Sequence, residues 1–316
     1  MELRTLRYFM AVVEKQNFTR AAESLNMAQP PLSQQIRKLE ETLGTPLLRR
    51  LTRSVELTEA GGSLYRDAAQ ILALADAAKL KVKRIARGEQ GALRIGFAGS
   101  TVLHPAVLTL LHDYRERYPE VALSPQEGTM PALVEALRND RLDAAILRLP
   151  CRGSEGFAHH LIEQEPLLIA LPTSHPKAKP GPLSLASLKD ESFILFPHAI
   201  GPGLYDGIVG LCREAGFEPI LGPECPQVIS TVGMVQAGFG VTLVPSSVAA
   251  LRPLGVSYHP IEGNGMMTSI SLATRPHPSS AVLRHFIAQI RAAQIRQGLP
   301  KEALLNKLNR FDDQLA

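Results

Sequence analysis

Along the first part of the chain, apolar residues recur at helical spacing. One set is Leu3, Leu6, Phe9 and Val13, a second is Phe18, Ala21, Ala22 and Leu25, and a third is Leu32, Ile36, Leu39 and Leu43. Each set occupies one face of an α-helical period and so predicts an amphipathic helix. The pattern breaks at Gln16-Asn17, at Asn26-Met27-Ala28 and at Gly44-Thr45-Pro46, so three short helices are separated by turns of a few residues. The second and third form a helix-turn-helix. Beyond Pro46 the segment Leu47 to Leu57 is basic, with Arg49, Arg50 and Arg53, and ends in the alternating Val55-Glu56-Leu57, which predicts a β-wing.

Thr58 is then placed to cap a long helix, with Glu59 in its first turn and Gly88 stopping it near Arg87. At 1.5 Å per residue it would span roughly 43 Å. Its apolar residues Leu64, Ala68, Ile71, Ala75, Ala78, Val82 and Ile85 alternate in steps of four and three, the spacing of a coiled-coil seam. The helix is therefore expected to pair with a copy of itself; the alternative is that it packs on its own domain.

From Leu93 onward the pattern changes. Short apolar strands at Leu93 to Phe97, Val121 to Gln126 and Ala144 to Leu149 alternate with amphipathic helices at 101–117 and 130–139, the order of a parallel α/β sheet. A second set follows, with strands at 167–171, 193–196 and 241–244, helices near 203–215 and 228–238, and a return strand and helix within 268–297. Two α/β lobes joined by crossing strands account for this order. The expected organisation is an all-α winged helix-turn-helix at 1–58, a linker helix and hinge at 59–90, and an α/β unit at 91–300. Lobe I takes 91–163 and 266–300, lobe II takes 164–265, and a C-terminal tail covers 301–316.

Composition sharpens this in three ways. A chain of 316 residues, 45% hydrophobic and 20% charged, is a folded protein too long for one ordinary core. The charge is uneven: residues 1–90 hold 15 Lys and Arg against 10 Asp and Glu, and the remainder 19 against 20. That surplus is too small to identify a nucleic-acid partner without motifs. Finally, Met1 is followed at once by charged residues and no apolar run is long enough to cross a bilayer, so a cytoplasmic location with no membrane partner is expected.

Several chemistries have no support. Cys151, Cys212 and Cys225 lie far apart without CxxC spacing, which predicts reduced thiols rather than disulfides or a zinc site. His159 and His160 are adjacent, would point to opposite faces of a strand, and are expected at the surface rather than on a metal. No Gly-x-Ser-x-Gly elbow, Walker loop or HExxH occurs, and Gly238-Phe239-Gly240 fits a helix end entering a strand. Neither catalysis nor a metal or cofactor is expected.

The third helix carries its own chemistry. Pro30 and Pro31 suit a first helical turn and offer apolar rings to thymine methyls. Gln29 and Gln34 can read base edges, Ser33 is short enough to bond a phosphate, and Arg37, Arg50 and Arg53 supply cations to the backbone of double-stranded DNA. The same residue types also favour an exposed helix start.

The run Asn17-Phe18-Thr19-Arg20-Ala21-Ala22-Glu23-Ser24-Leu25-Asn26, followed by Gln29-Pro30-Pro31-Leu32-Ser33-Gln34-Gln35-Ile36-Arg37-Lys38-Leu39-Glu40, closely resembles the signature of LysR-type transcriptional regulators. Val55-Glu56-Leu57-Thr58-Glu59-Ala60-Gly61 resembles it too, and the order of elements after residue 90 is similar to that family's two-lobed sensor, itself like periplasmic solute-binding proteins. The resemblance implies DNA-contacting roles for Gln29, Pro30, Pro31, Ser33 and Arg53. Position 34 is commonly Arg or Gln in relatives. It also implies a homodimer through the 59–87 helix, assembly into a tetramer, and RNA polymerase as a partner.

In lobe I, Ser100 and Thr101, then Thr129, then Arg148 fall at C-terminal ends of strands, where open α/β sheets bind ligands. Hydroxyls and free N–H groups at helix starts, together with a full positive charge on Arg148, describe a carboxylate site; the alternative is ordinary N-caps and a surface ion pair. Within the family the Gly-Ser after the first sensor strand, the Glu127-Gly128-Thr129 turn and the strand ending in Arg148 resemble regulators of aromatic-compound degradation. That resemblance implies an aromatic acid or muconate-like diacid as effector, with Pro202, Leu204 and Val228 lining the cleft from lobe II. The competing readings are a solute-binding protein and a small-molecule enzyme with an appended helical domain.

Overall fold

The computed structural model describes residues 1–51, 54–251, 254–263 and 265–296. By contacts the chain divides into two units, Met1–Arg84 and Ile85 onward. In the first, α1 (Leu3–Lys15), α2 (Phe18–Ser24) and α3 (Gln29–Leu43) are followed by strands β1 (Leu48–Arg50) and β2 (Val55–Leu57) and by α4 (Glu59–Ala86). Their boundaries follow from local chemistry. The Asn17 side chain accepts hydrogen bonds from the N–H groups of Thr19 and Arg20 and so starts α2. Gly44, at φ 68°, ends α3 in the left-handed region that glycine adopts without strain.

Phe9, Val12, Ala21, Leu32, Ile36 and Leu39 close this small core from three helices. The wing is held to it by Glu40, whose carboxylate accepts from the N–H groups of Leu47 and Leu48 at 2.8 and 3.1 Å. Thr58 caps α4 as its position predicts, accepting from Gly61 N–H at 2.9 Å. A Cβ on Gly61 would lie 2.0 Å from the Leu47 carbonyl oxygen, so the close approach of wing and helix requires glycine there.

The expected seam divides along its length. Leu64 packs against the helical core and Ala68 is fully buried, whereas Ile71, Val82 and Ile85 are exposed. The first turns of α4 thus serve their own domain, and the apolar face left open begins at Ile71.

The second unit runs β3 (Gly91–Phe97), α5 (Gly99–Val102), α6 (Pro105–Arg117), β4 (Val121–Glu127), α7 (Met130–Arg138), β5 (Ala144–Leu149), β6 (Ala158–Pro172), β7 (Ser192–Phe193), α8 (Pro202–Glu214), β8 (Ile220–Leu221), α9 (Val228–Gln236), β9 (Thr242–Pro245), α10 (Ser246–Ala249), β10 (Val256–Pro260), β11 (Met267–Thr274) and α11 (Ala281–Arg296). In its main sheet β4, β3 and β5 are parallel, β11 pairs antiparallel with β5 and with the first half of β6, and the second half of β6 pairs antiparallel with β9 and β10. A single strand, β6, therefore belongs to both lobes.

Three sequence expectations change in this unit. The helix expected over 101–117 is two helices, because the residue before Pro105 is pushed out of helical geometry and His104 caps the second, accepting from Ala106 N–H. The strand expected at 167–171 is one half of the fifteen-residue β6. The strand expected at 193–196 pairs as a ladder only through Ser192 and Phe193.

The lobes keep separate cores. Leu93, Tyr114, Ile146, Leu272 and Phe286 lie in one, and Leu167, Ile169, Phe193, Phe196, Ile208 and Leu243 in the other. Among the described residues no helix is long and apolar enough to cross a membrane.

Candidate functional sites

In the helical unit Leu32, Ile36 and Leu39 turn inward, leaving Pro30, Pro31, Gln34 and Arg37 exposed or half-buried with Gln29 and Ser33 beside them. All of the candidate residues on α3 thus lie away from the core. The wing brings Arg50 to this surface: its Nη1 donates to Ser33 Oγ at 3.2 Å, and its guanidinium lies over the Phe18 ring, 4.6 Å from the centroid. Arg53 lies outside the described residues.

The second unit holds a cavity of about 390 Å³ between its two lobes. Lobe I contributes the Ala98–Ser100 turn, Glu127 to Pro131, Arg148 and Pro150 to Arg152, and lobe II contributes Phe196, Ile200 to Leu204 and Pro226 to Ile229. The first residues of α5, α7, α8 and α9 all line it, so several helix N-termini present partial positive charge to one space. Ser100, Thr129, Arg148, Pro202, Leu204 and Val228 are brought together on its wall.

Two expected residues behave differently. Thr101 is fully buried and does not line the cavity; its hydroxyl donates to the Ala98 carbonyl at 2.8 Å, with the Ile146 carbonyl at 3.4 Å. One turn of α5 cannot direct two adjacent side chains the same way, and Ser100 takes the cavity side. Arg148 lines the cavity but is only 4% exposed and does not offer a free charge. It forms an ion pair with Glu165 at 2.9 Å, donates to Thr268 Oγ1 at 2.6 Å and to the Ser100 carbonyl at 3.1 Å, and approaches Ser100 Oγ at 3.4 Å.

Glu165 in turn accepts from Ser247 N–H, Ser247 Oγ and Ser246 Oγ at 2.6, 3.0 and 3.1 Å. Burial works against its ionisation, but the Arg148 charge and the Ser247 bonds outweigh it and leave its pKa below the usual value. For Arg148, burial lowers the pKa against the opposing pull of Glu165. The pair thus joins β5 to β6, the strand shared by both lobes.

Sequence reasoning missed Glu165, Thr268, Ser246 and Ser247. Glu165 sits in the polar run Glu163-Gln164-Glu165 of β6, so nothing local singles it out as the buried acid, and its partner lies 17 residues away on a different strand. Glu127, Cys151 and Arg152 also line the cavity. Arg152 pairs with Asp206 of α8 at 3.1 Å, tying the lobes together at the rim. All three cysteines are free and buried, with burial raising the Cys151 thiol to about 11. His159 and His160 are half-buried rather than at the surface, and desolvation first, then Arg291, lowers His160 to about 4.

Residues 3–62 match the family described as bacterial regulatory helix-turn-helix protein, lysR family, and residues 86–294 match the LysR substrate binding domain. The chain belongs to the LysR family. It is 48% identical to the HTH-type transcriptional regulator BudR of Raoultella terrigena over 287 residues, covering 91% of this chain and 99% of that protein. It is 36% identical to the HTH-type transcriptional regulator BenM of Acinetobacter baylyi, covering 94% and 98%. Among solved structures, full-length CbnR complexed with its target DNA has a TM-score of 0.81 at 30% identity, covering 92% of this chain and 99% of that one. These likenesses span both units, and this LysR-type protein is a transcriptional regulator rather than an enzyme.

Proposed function

We propose that this regulator binds promoter DNA through α3 and the wing and responds to a small organic acid held between the lobes of its second unit. The DNA reading rests on the outer edge of α3, where Gln29, Pro30, Pro31, Ser33, Gln34 and Arg37 join Arg50, and on the likeness to CbnR, which was solved on its target DNA. Arg53 belongs to the same proposal by its place in the wing sequence.

The observation that carries the effector reading is the convergence of four helix starts, Ser100, Thr129 and Arg148 on one cavity. Its remaining wall is largely apolar, with Phe196, Ile200, Leu204 and Val228, and its volume suits a ligand of about one aromatic ring. Of the two guanidiniums that line the space, Arg148 is already balanced by Glu165 and Arg152 by Asp206, and the Glu127 carboxylate stands on the same wall. A second carboxylate would meet Glu127 without a free cation, so an aromatic monocarboxylate fits better than a muconate-like diacid.

A homodimer through the open Ile71–Ile85 face of α4, and a tetramer built on it, would set two helix-turn-helix units on successive major grooves. Effector binding then changes lobe closure, the spacing of those units and the response of RNA polymerase. A thermal-shift series of aromatic monocarboxylates and aliphatic diacids tests the effector class. Benzoate-like acids raise Tm, and Arg148→Ala and Thr129→Val abolish the rise while sparing DNA binding. No rise with any acid, or a rise with diacids alone, overturns the effector reading.

A further inference from the structure

Phe18 is the first residue of α2, immediately after the Asn17 cap, and it packs against the helical core. The Arg50 guanidinium lies over the same ring, 4.6 Å from the centroid, while its Nη1 donates to Ser33 Oγ at 3.2 Å. Three segments far apart in sequence thus meet at one exposed point beside the N-terminal part of α3. Arg50 makes no ion pair with a carboxylate among the described residues.

The choice of an aromatic ring matters electrostatically. A carboxylate would also hold the guanidinium, but it would neutralise the charge and compete with any incoming phosphate. A ring face attracts the cation through its quadrupole and leaves the full charge available. Ser33 Oγ accepts from Arg50, so the serine proton remains free to donate, and Nε and Nη2 of Arg50 are free as well among the described residues. The arginine is therefore held before any partner arrives, which reduces the ordering cost of binding.

We infer that Phe18 is a positioning residue for DNA binding: its ring holds Arg50 beside Ser33, so that cation and hydroxyl form one ready-made seat for a backbone phosphate. This rests on the DNA reading proposed above. Phosphate recognition is independent of sequence, so the probe is a labelled random-sequence duplex, titrated with the full-length protein over a range of salt.

Phe18→Leu should weaken binding about two- to five-fold, the fold-change of an exposed cation–π contact. Its salt slope should match the wild type, because the charge still reaches the phosphate. Phe18→Tyr should restore affinity. Arg50→Ala should weaken binding further and reduce the log–log salt slope by about 0.9 for each phosphate that is no longer neutralised. Phe18→Leu should then add no further loss in the Arg50→Ala background, whereas a purely structural role would cost the same factor in both backgrounds. Phe18→Met fills similar space without a ring and supplies the same readout if Leu loosens the core.

Wild-type affinity in both Phe18→Leu and Phe18→Met, or equal losses with and without Arg50, overturns the inference. Arg37→Ala separates the two levels of failure. If it weakens binding while the Phe18 variants do not, only the positioning role fails; if the wild type itself shows no salt-dependent binding to duplex, the DNA reading fails with it.

Discussion

Arg50 and Arg148 are both arginines at the end of a short strand beside a helix start, and their surroundings are opposite. Arg50 is exposed, rests on an aromatic face, touches one hydroxyl and, among the described residues, keeps most of its donors free. Arg148 is buried, has Glu165 as counter-ion and also bonds Thr268 and the Ser100 carbonyl. An exposed charge can stay in water with its donors unfilled, at little cost to stability. A charge inside a cleft between two cores must be paired, because an unpaired buried ion costs more than the fold can offset. The helical unit thus presents charge, whereas the α/β unit stores it in a network that a ligand can join only by sharing partners.

The strongest test of the contrast is to remove the stored counter-ion. Glu165→Ala leaves Arg148 buried and unpaired and should destabilise the α/β unit by about 3–5 kcal/mol, seen as a large fall in its Tm with the helical unit unaffected. Because the folded-state pKa of Glu165 is lowered, its ionisation contributes stability above the usual carboxylate range and loses it as pH falls through the folded value. The gap between wild type and Glu165→Gln should therefore be full at neutral pH and close in acid. A gap that persists in acid would show that packing, not charge, holds the site.

Geometry at the cavity rim offers a smaller effect. A Cβ on Gly203 would lie 1.9 Å from the Pro150 carbonyl oxygen, so Gly203→Ala must part the lobes there. It should cost about 1–3 kcal/mol and blunt any effector-induced Tm shift. Gly210, in the same helix with nothing within 4 Å of its Cβ position, is the control. Gly210→Ala should raise stability by about 0.5–1 kcal/mol.

On the exposed side, Asn17→Ala removes the cap that receives Thr19 and Arg20 and frays α2 just where Phe18 supports Arg50. A loss of about 1 kcal/mol should appear in chemical denaturation of the helical unit, together with a small loss of duplex affinity. The smallest effect concerns His160, whose folded pKa of about 4 lies below its usual value. As pH falls from about 6.5 toward that value, the unfolded chain takes up a proton that the folded chain refuses, so stability drops. His160→Gln should flatten that part of the pH–stability curve and leave Tm at neutral pH nearly unchanged.

Local order was legible wherever one short stretch carried both pattern and punctuation. Asn17, Gly44, Thr58 and Gly88 mark boundaries because capping and left-handed turns depend on adjacent backbone groups alone. The apolar periods of α1 to α3 place most of the buried residues, although Leu3 and Leu43 at the outer ends are exposed and Val12 is buried where Val13 was expected. The alternation from Leu93 to Leu149 likewise defines an α/β lobe, and Ser100, Thr129 and Arg148 fall at strand ends by the same local rules. The break before Pro105 was equally local and simply outweighed by the amphipathic pattern around it.

What tertiary structure alone decided is how distant residues pair. Thr101 turns inward while Ser100 faces the cavity, β6 runs through both lobes, Glu165 meets Arg148, and Phe18, Ser33 and Arg50 converge. Hydrophobic period and caps are properties of a few consecutive residues, so the sequence determined most of the elements and placed the candidate site residues near the ends of strands. Whether a charge is held or offered depends on low dielectric and on partners delivered by other strands, and those exist only once the chain has folded.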